Sequence, residues 1–343
     1  MKLPEHFPIK TAGVLVIILV IVLSGVFIAI NGIPFTSKDN SQKLIYGDFV
    51  GGLTTAGVME SENLWAKNGM SVTVNNYTAP NDLANALQLN EVDITTGTPE
   101  TYAKLNSQNN INFKIIGEEY VLLQEVIIRN DSNFHKLTDL QGKKLGVLTS
   151  SGTFSYFSSL VSQLYNISDV NSYFQIVNDP PAVLIDALES KQLDAIILWQ
   201  PDVAKAETIY PNLVPLITFQ DMYEQVSGNT NIPPMVLWFA SNNALQTKAA
   251  ELKKFMDLQK TVVGYFTTNA SLIKDSFKKY FNYNDNEANN LFSQVKDKFR
   301  PYTLNSTVID SIRNNWEIFY DHGKSQYITK DPALLPDSCF VIL

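Results

Sequence analysis

ALQLNEVDITTGTPETYAK (residues 86–104) and ALESKQLDAIILWQPDVAK (residues 187–205) are the stretches whose reading decides the fold of this chain. Ala86–Leu87, Asp93, Ala103 and Lys104 recur 101 positions later as Ala187–Leu188, Asp194, Ala204 and Lys205, while Pro99 and Pro201 are one residue out of step. Each copy reads as the end of a helix, a tight turn, a short apolar strand, and a new helix opened by a proline. That is half of a βαβ unit, with the carboxyl end of the strand facing a helix N-terminus. In open α/β sheets, ligands bind at such strand ends. Two copies predict two similar lobes facing each other across a cleft. Asp93 and Asp194 sit at the amino ends of their strands, away from the cleft, and are expected to fix the turns.

Outward from this pair the alternation of strand and helix continues. An apolar strand at 44–50 (LIYGDFV) leads through the loop GGLTT (51–55) into a helix expected over 54–67. A strand at 71–75, a helix at 81–89, a strand at 91–95, a helix at 98–107 and a strand at 112–118 follow, read as parallel strands. Residues 121–129 (VLLQEVIIR) form one long β-prone run. A second set comprises a strand at 144–148, a helix at 153–165, a strand at 173–177, a helix at 181–190, a strand at 194–198 and a helix after Pro201. Another apolar strand follows at 235–241 (MVLWFAS), and beyond 243 the apolar residues take helical spacing through 243–267, 270–280, 284–296 and 306–320. The chain therefore passes from lobe I to lobe II and back, with β-like crossings near 121–129 and 233–240. Two crossings make a hinge, a recurrent device for closing around a ligand.

Length and composition fit this plan. A chain of 343 residues with 45% hydrophobic content is long enough for two ordinary cores. With a net charge of −8, 17% charged residues and no basic stripe, nucleic acid is not the expected partner. The polar surface suits an extracellular protein, and an acidic medium is one expectation. Residues 11–30 (TAGVLVIILVIVLSGVFIAI) carry no charge and are long enough to cross about 30 Å of hydrocarbon. Lys2 and Lys10 precede them, which favours a cytoplasmic tail at 1–10, an uncleaved signal-anchor, and a linker at 31–42. The single cysteine, Cys339, allows no intrachain disulfide and reads as a partly buried apolar residue. Sequons at Asn76, Asn130, Asn166, Asn269 and Asn305 permit glycosylation without arguing for it.

The most pointed candidate site is LGVLTSSGTFSYF (145–157): a strand, a loop of Thr149, Ser150, Ser151, Gly152 and Thr153, then a helix. Free N–H groups at a helix start, beside hydroxyls and without bulk at Gly152, suit an anion or a polar head group. The bland alternative is an ordinary Ser or Thr cap. The loop Phe49–Thr55 has the same construction, with Gly51 and Gly52 allowing close backbone approach. Gly97 and Thr98, and Trp199 in the second copy, occupy the matched strand ends. Trp199 either walls a cleft or packs on a neighbouring strand. No catalytic or metal site is expected, because His6, His135 and His322 are scattered and no nucleophile elbow surrounds Ser151. Glu118 and Glu119 point to opposite faces of a strand and are expected to be a solvated pair.

The segments at 86–99, 137–153 (LTDLQGKKLGVLTSSGT) and 187–201 resemble, in order and spacing, the substrate-binding proteins of ABC importers for nitrate, sulfonates, taurine and the thiamine pyrimidine precursor. The resemblance covers about 43–320 and implies the α/β type II periplasmic-binding fold, two lobes on a two-strand hinge. Lobe I is then expected at 43–122 and 240–343, and lobe II at 123–239. Carried over by position, Phe49, Gly51, Gly52, Gly97, Thr98, Ser150, Ser151, Gly152, Thr153 and Trp199 would contact the ligand. The family's glycine before Glu-Val-Asp is Asn90 here, which also tolerates left-handed backbone. No arginine faces the expected cleft, Arg129 being placed in the hinge and Arg300 and Arg313 in C-terminal helices. With the anchor read at 11–30, the resemblance implies a monomeric receptor without cofactor, passing a nitrate-, sulfonate- or taurine-like oxyanion or a heterocycle to an ABC permease and ATPase. The alternatives are a receptor for the thiamine pyrimidine precursor, a ligand-sensing ectodomain, or a pyrimidine-synthase-like enzyme.

Overall fold

The computed structural model describes residues 43–107, 111–228, 232–320 and 336–343. The expected tail (1–10), membrane helix (11–30) and linker (31–42) lie outside the described residues. Among the described residues no helix is long and apolar enough to cross a membrane.

The first elements are β1 (Leu44–Phe49), α1 (Thr55–Ser61), α2 (Leu64–Lys67), β2 (Val72–Tyr77), α3 (Pro80–Gln88), β3 (Ile94–Gly97), α4 (Pro99–Ser107) and β4 (Phe113–Val121). Then come β5 (Gln124–Arg129), β6 (Lys144–Gly146), α5 (Gly152–Tyr165), α6 (Val170–Tyr173), β7 (Gln175–Val177), α7 (Pro181–Glu189), β8 (Ala195–Trp199), α8 (Asp202–Ile209), β9 (Leu213–Thr218) and α9 (Phe219–Ser227). The chain continues through β10 (Pro234–Ser241), α10 (Asn242–Thr247), α11 (Ala249–Thr268), α12 (Ala270–Phe281), α13 (Asp285–Val295) and α14 (Ser306–Tyr320).

Two five-stranded sheets result, ordered β2-β1-β3-β10-β4 and β7-β6-β8-β5-β9. Both are mixed: β1, β2 and β3 pair in parallel, as do β6, β7 and β8, while the crossing strands are reversed, β10 running antiparallel to β3 and β4, and β5 antiparallel to β8 and β9. In each sheet the reversed strand is the first one laid down after the chain crosses over. The run 121–129 is accordingly two strands in different sheets, because β4 ends at Val121 and β5 starts at Gln124. All eight residues of β10 are buried, as an apolar strand covered on both faces must be. Its pairing with β3 and β4 puts residues 234–239 in the first sheet, so the expected lobe boundary at 239/240 falls inside a strand.

The repeated sequence makes the same contacts in both lobes. Asp93 Oδ2 accepts the N–H of Ile45 at 2.7 Å, and Asp194 Oδ2 accepts that of Lys144 at 2.9 Å. Each aspartate thus ties down the start of the neighbouring strand, β1 or β6, rather than its own turn. Asn90 (φ 61°) and Lys191 (φ 63°) hold the equivalent left-handed positions before them. A Cβ on Gly47 would lie 2.5 Å from Leu83 Cδ1, and one on Gly146 2.7 Å from Leu184 Cδ2 and Leu193 Cδ1. Both glycines let a helix, α3 or α7, ride close on its strand. Overpacking a core typically costs about 1–3 kcal/mol. Gly146→Ala is expected to destabilise by that amount in urea unfolding; an unchanged midpoint would mean that α7 has room to move.

Two expectations fail locally. The helix over 54–67 is broken into α1 and α2 at Asn63, whose φ of 53° cannot continue a helix. The strand β9 and the helix α9 were not foreseen; β9 contains Pro215 and is an edge strand, where proline is tolerated. The signal for α9 was present in Thr218-x-x-Asp221, which forms a capping box.

The lobes share an apolar core on one side, running from Tyr102, Phe113 and Phe239 through Trp316 to Tyr156, Phe157 and Phe219. The helix α14 lies in this seam, where Tyr156 Oη donates to Asn315 Oδ1 at 2.5 Å and Gln163 Nε2 to the carbonyl of Ile318 at 3.2 Å. A second seam joins α8 to α13: Asn290 Nδ2 donates to the carbonyl of Ala204 at 3.0 Å and Gln294 Nε2 to Glu207 Oε2 at 2.6 Å.

Candidate functional site

Between the two seams lies a cavity of about 120 Å³. The first sheet supplies Phe49 from the end of β1, Gly52–Thr54 from the following loop, and Thr95–Thr98 from the end of β3. The second supplies Gln124, Ser151–Thr153 at the start of α5, and Trp199 at the end of β8. Eight of the ten residues expected to contact a ligand are therefore brought together: Phe49, Gly52, Gly97, Thr98, Ser151, Gly152, Thr153 and Trp199. Gly51 and Ser150 do not line the cavity. Sequence reasoning missed one apolar wall formed by Pro80, Leu83, Ala84 and Leu87 of α3, and another formed by Phe113, Tyr120, Val236 and Phe239. The periodicity of α3 marks its buried face, but only the folded sheet shows that this face borders a space. An engineered apolar cavity of about 150 Å³ takes up benzene, so this space suits a solute of roughly that size.

The helix start on the first side is satisfied internally. Thr54 Oγ1 accepts from Gly57 N at 3.1 Å, and Glu119 Oε1 accepts from Thr55 N at 2.5 Å. Glu119 Oε2 also accepts from Thr55 Oγ1 (3.2 Å), Trp238 Nε1 (2.7 Å) and Gln259 Nε2 (2.9 Å). Glu119 is fully buried, so the expected solvated Glu118–Glu119 pair is corrected. The alternation of β4 turns the two carboxylates to opposite faces, and packing buries Glu119 and half-buries Glu118. Burial pushes the Glu119 carboxyl above its ordinary range, and its hydrogen bonds pull the other way.

The second helix start is built differently. Ser151 is the cap residue of α5, yet its side chain makes no capping bond; its Oγ donates to the carbonyl of Leu148 at 2.6 Å. Thr149 donates both its N–H and its hydroxyl to Asn178 Oδ1, at 2.8 and 2.9 Å. The hydroxyls expected to face a ligand at Thr149 and Ser151 are thus turned to the protein. Gly152 is needed here for a specific reason: a Cβ would come within 2.6 Å of the carboxyl carbon and both oxygens of Glu100. Trp199 lines the cavity.

Arg129 donates to the carbonyls of Leu188 and Leu193 at 2.7 and 2.9 Å, Arg313 pairs with Asp337, and Arg300 lies after α13 rather than in a helix. Among the described residues that line the cavity, none is Lys, Arg or His. Nor is any group of three or more His, Cys, Asp or Glu placed to hold a metal among the described residues. Cys339 is buried.

Carboxylates near the lobe junction are shifted upward. Burial pushes Glu118 up to about 7 against the pull of Arg300. Burial, then repulsion from Glu207 and Asp221, pushes Glu125 up to about 7. Burial pushes Asp202 up to about 6 against the pull of Lys205. An acid whose pKa is raised on folding contributes stability that is present below the unfolded value and lost as pH rises through the folded one. Stability should therefore climb as pH falls from 7.5 to 5, by on the order of 2–3 kcal/mol or roughly 5 °C in Tm. Exposed acids held low by their partners, such as Asp131 and Asp139, reverse the trend below about pH 4. A melting profile that peaks at pH 7.5 would contradict the assignment.

Two sheets of this order, with a cavity at the strand ends between them, define the fold of type II periplasmic binding proteins. The NMT1/THI5-like family model matches residues 58–270, and the chain belongs to that family. A Brucella abortus (strain 2308) sequence named as a binding protein is 21% identical over 285 residues, covering 80% of this chain and 83% of its own. The structure is similar to the periplasmic aliphatic sulphonate binding protein SsuA of Escherichia coli (TM-score 0.67, 14% identity, 84% of this chain and 89% of that one). It is equally similar to the alkanesulfonate-binding protein SsuA of Xanthomonas axonopodis pv. citri bound to MOPS (TM-score 0.68, 14% identity, 88% and 98%). These relatives are binding proteins.

Proposed function

We propose that this protein is the solute receptor of an ABC importer, holding a small, largely apolar solute in the cavity between its sheets and passing it to a permease and ATPase. The observation that carries this reading is the cavity itself. It lies where the carboxyl ends of β1, β3 and β8 converge with the start of α5, the position at which open α/β sheets bind ligands. The names of the sulfonate-binding relatives support a solute-binding role. Trp199 and Phe49 supply flat apolar faces for a heterocycle. The ten sequence-derived contacts are proposed as the binding set, less Gly51 and Ser150. The lobes are proposed to divide at residues 121–124 and 228–234, where hinge motion would admit the solute. Residues 11–30 are proposed to anchor the domain outside the cell; release by high salt without detergent would count against that.

The test is thermal denaturation with a solute panel of nitrate, taurine, benzenesulfonate, aminopyrimidines and small organic ammonium ions. A true ligand at a hundredfold over Kd stabilises by about 2.7 kcal/mol. Trp199→Ala should then weaken binding about tenfold or more, equivalent to about 1.4 kcal/mol. A panel in which no compound moves the Tm would refute the receptor reading.

A further inference from the structure

At the α5 end of the cavity stands a carboxyl group, where an oxyanion would need a donor. Glu100, only 7% exposed, packs its carboxyl group against Gly152 at the first residue of the 14-residue α5. A helix N-terminus favours negative charge, and here the chain's own carboxylate lies against that end. The other helix start, at α1, gives its Thr55 N–H to Glu119. A third carboxylate, Asp48, is 3% exposed and adjoins Phe49, held by the hydroxyls of Tyr46 (3.1 Å) and Tyr280 (2.5 Å). The lining itself contains five aromatic rings, Phe49, Phe113, Tyr120, Trp199 and Phe239, and among its described residues no Lys, Arg or His. Aromatic faces in a desolvated site attract organic cations and most strongly favour ammonium groups that water solvates weakly.

We infer that the cavity selects a small organic ammonium ion and rejects oxyanions, with Glu100 as the residue that sets the charge class. This rests on the cavity being the solute site. The rings supply the contact surface; Glu100, behind Gly152, supplies the negative potential at the α5 end.

Three probes share the frame HO–CH2–CH2–X with a tetrahedral X group: cationic choline, its neutral carbon isostere 3,3-dimethylbutan-1-ol, and anionic isethionate. Binding is measured by calorimetry on the wild-type protein and on Glu100→Gln. Choline should bind at least about tenfold more tightly than the isostere, in line with the strength of desolvated cation–π contacts, and isethionate should show no binding at 10 mM, about a hundredfold above a 0.1 mM Kd. In Glu100→Gln the choline advantage should fall at least about fivefold while the isostere's affinity stays the same, the signature of a lost charge rather than of lost packing. Isethionate binding as tightly as choline overturns the inference, as does a choline-to-isostere ratio unchanged by the substitution. If Glu100→Gln does not fold, the wild-type order of the three probes decides alone. Should none of the three bind while another compound of the broader panel does, this inference fails and the receptor reading stands.

Discussion

Replacing Glu119 with Ala is expected to lower the unfolding free energy by roughly 3–5 kcal/mol, because it strands several buried hydrogen-bond donors at once. Its carboxylate receives the Thr55 N–H and hydroxyl, the Trp238 indole N–H and the Gln259 amide. All of these residues are buried, so no water stands ready to replace the lost acceptor. Each stranded donor carries a penalty of about 1–3 kcal/mol, and local relaxation keeps the total below their sum. Glu119→Gln keeps one acceptor oxygen but sets an amide N–H₂ against other donors, and should lie between wild type and Ala. Urea unfolding with an unchanged m-value checks both variants; a loss below about 1 kcal/mol for Ala would show that the network is not a clamp. The consequence reaches the cavity, because Glu119 pins the first turn of α1 and so the lining residues Leu53 and Thr54.

Trp316→Ala should cost a comparable amount, about 3–5 kcal/mol, the range for emptying a buried aromatic site. The indole is 2% exposed, lies 5.5 Å from the ring of Tyr102, and belongs to the core that both lobes share. Its N–H has no hydrogen-bond partner among the described residues. Trp316→Phe removes that unpaired donor along with some packing, and the two effects offset. We expect less than about 1.5 kcal/mol for Phe. The contrast between the two variants, read from thermal and urea unfolding, separates lost volume from a lost polar contact; equal effects would mean that the indole N–H is bonded. Because α14 also holds Asn315 against Tyr156, the Ala variant should loosen the seam between the lobes as well as the core.

How much of this was legible beforehand can be read from particular residues. The repeat predicted equivalent lobes, and the matched positions Asp93 and Asp194, Asn90 and Lys191, and Leu83 and Leu184 play the same parts in the two sheets. The loops at strand ends were also legible, since a strand followed by Gly, Ser or Thr and then a helix start is a local pattern. The reversed strands β5 and β10 were not, because alternation and apolar runs report burial and carry no direction. The edge strand β9 was not foreseen; it tolerates Pro215 because the strand lacks a neighbour on one side, which only the folded sheet shows.

The amino-acid sequence by itself determined the two-lobed α/β plan, the place of the strand-end loops, and most of the residues that meet in the cavity, because each of these follows from patterns within about twenty residues. Only the tertiary structure decided the character of the site. Glu119 meets partners 64, 119 and 140 positions away, and Glu100 meets Gly152 across the interface of two lobes. Whether a glutamate is solvated, clamps a helix, or stands at a binding cavity depends on what folding brings against it, and burial multiplies the energy of each such contact.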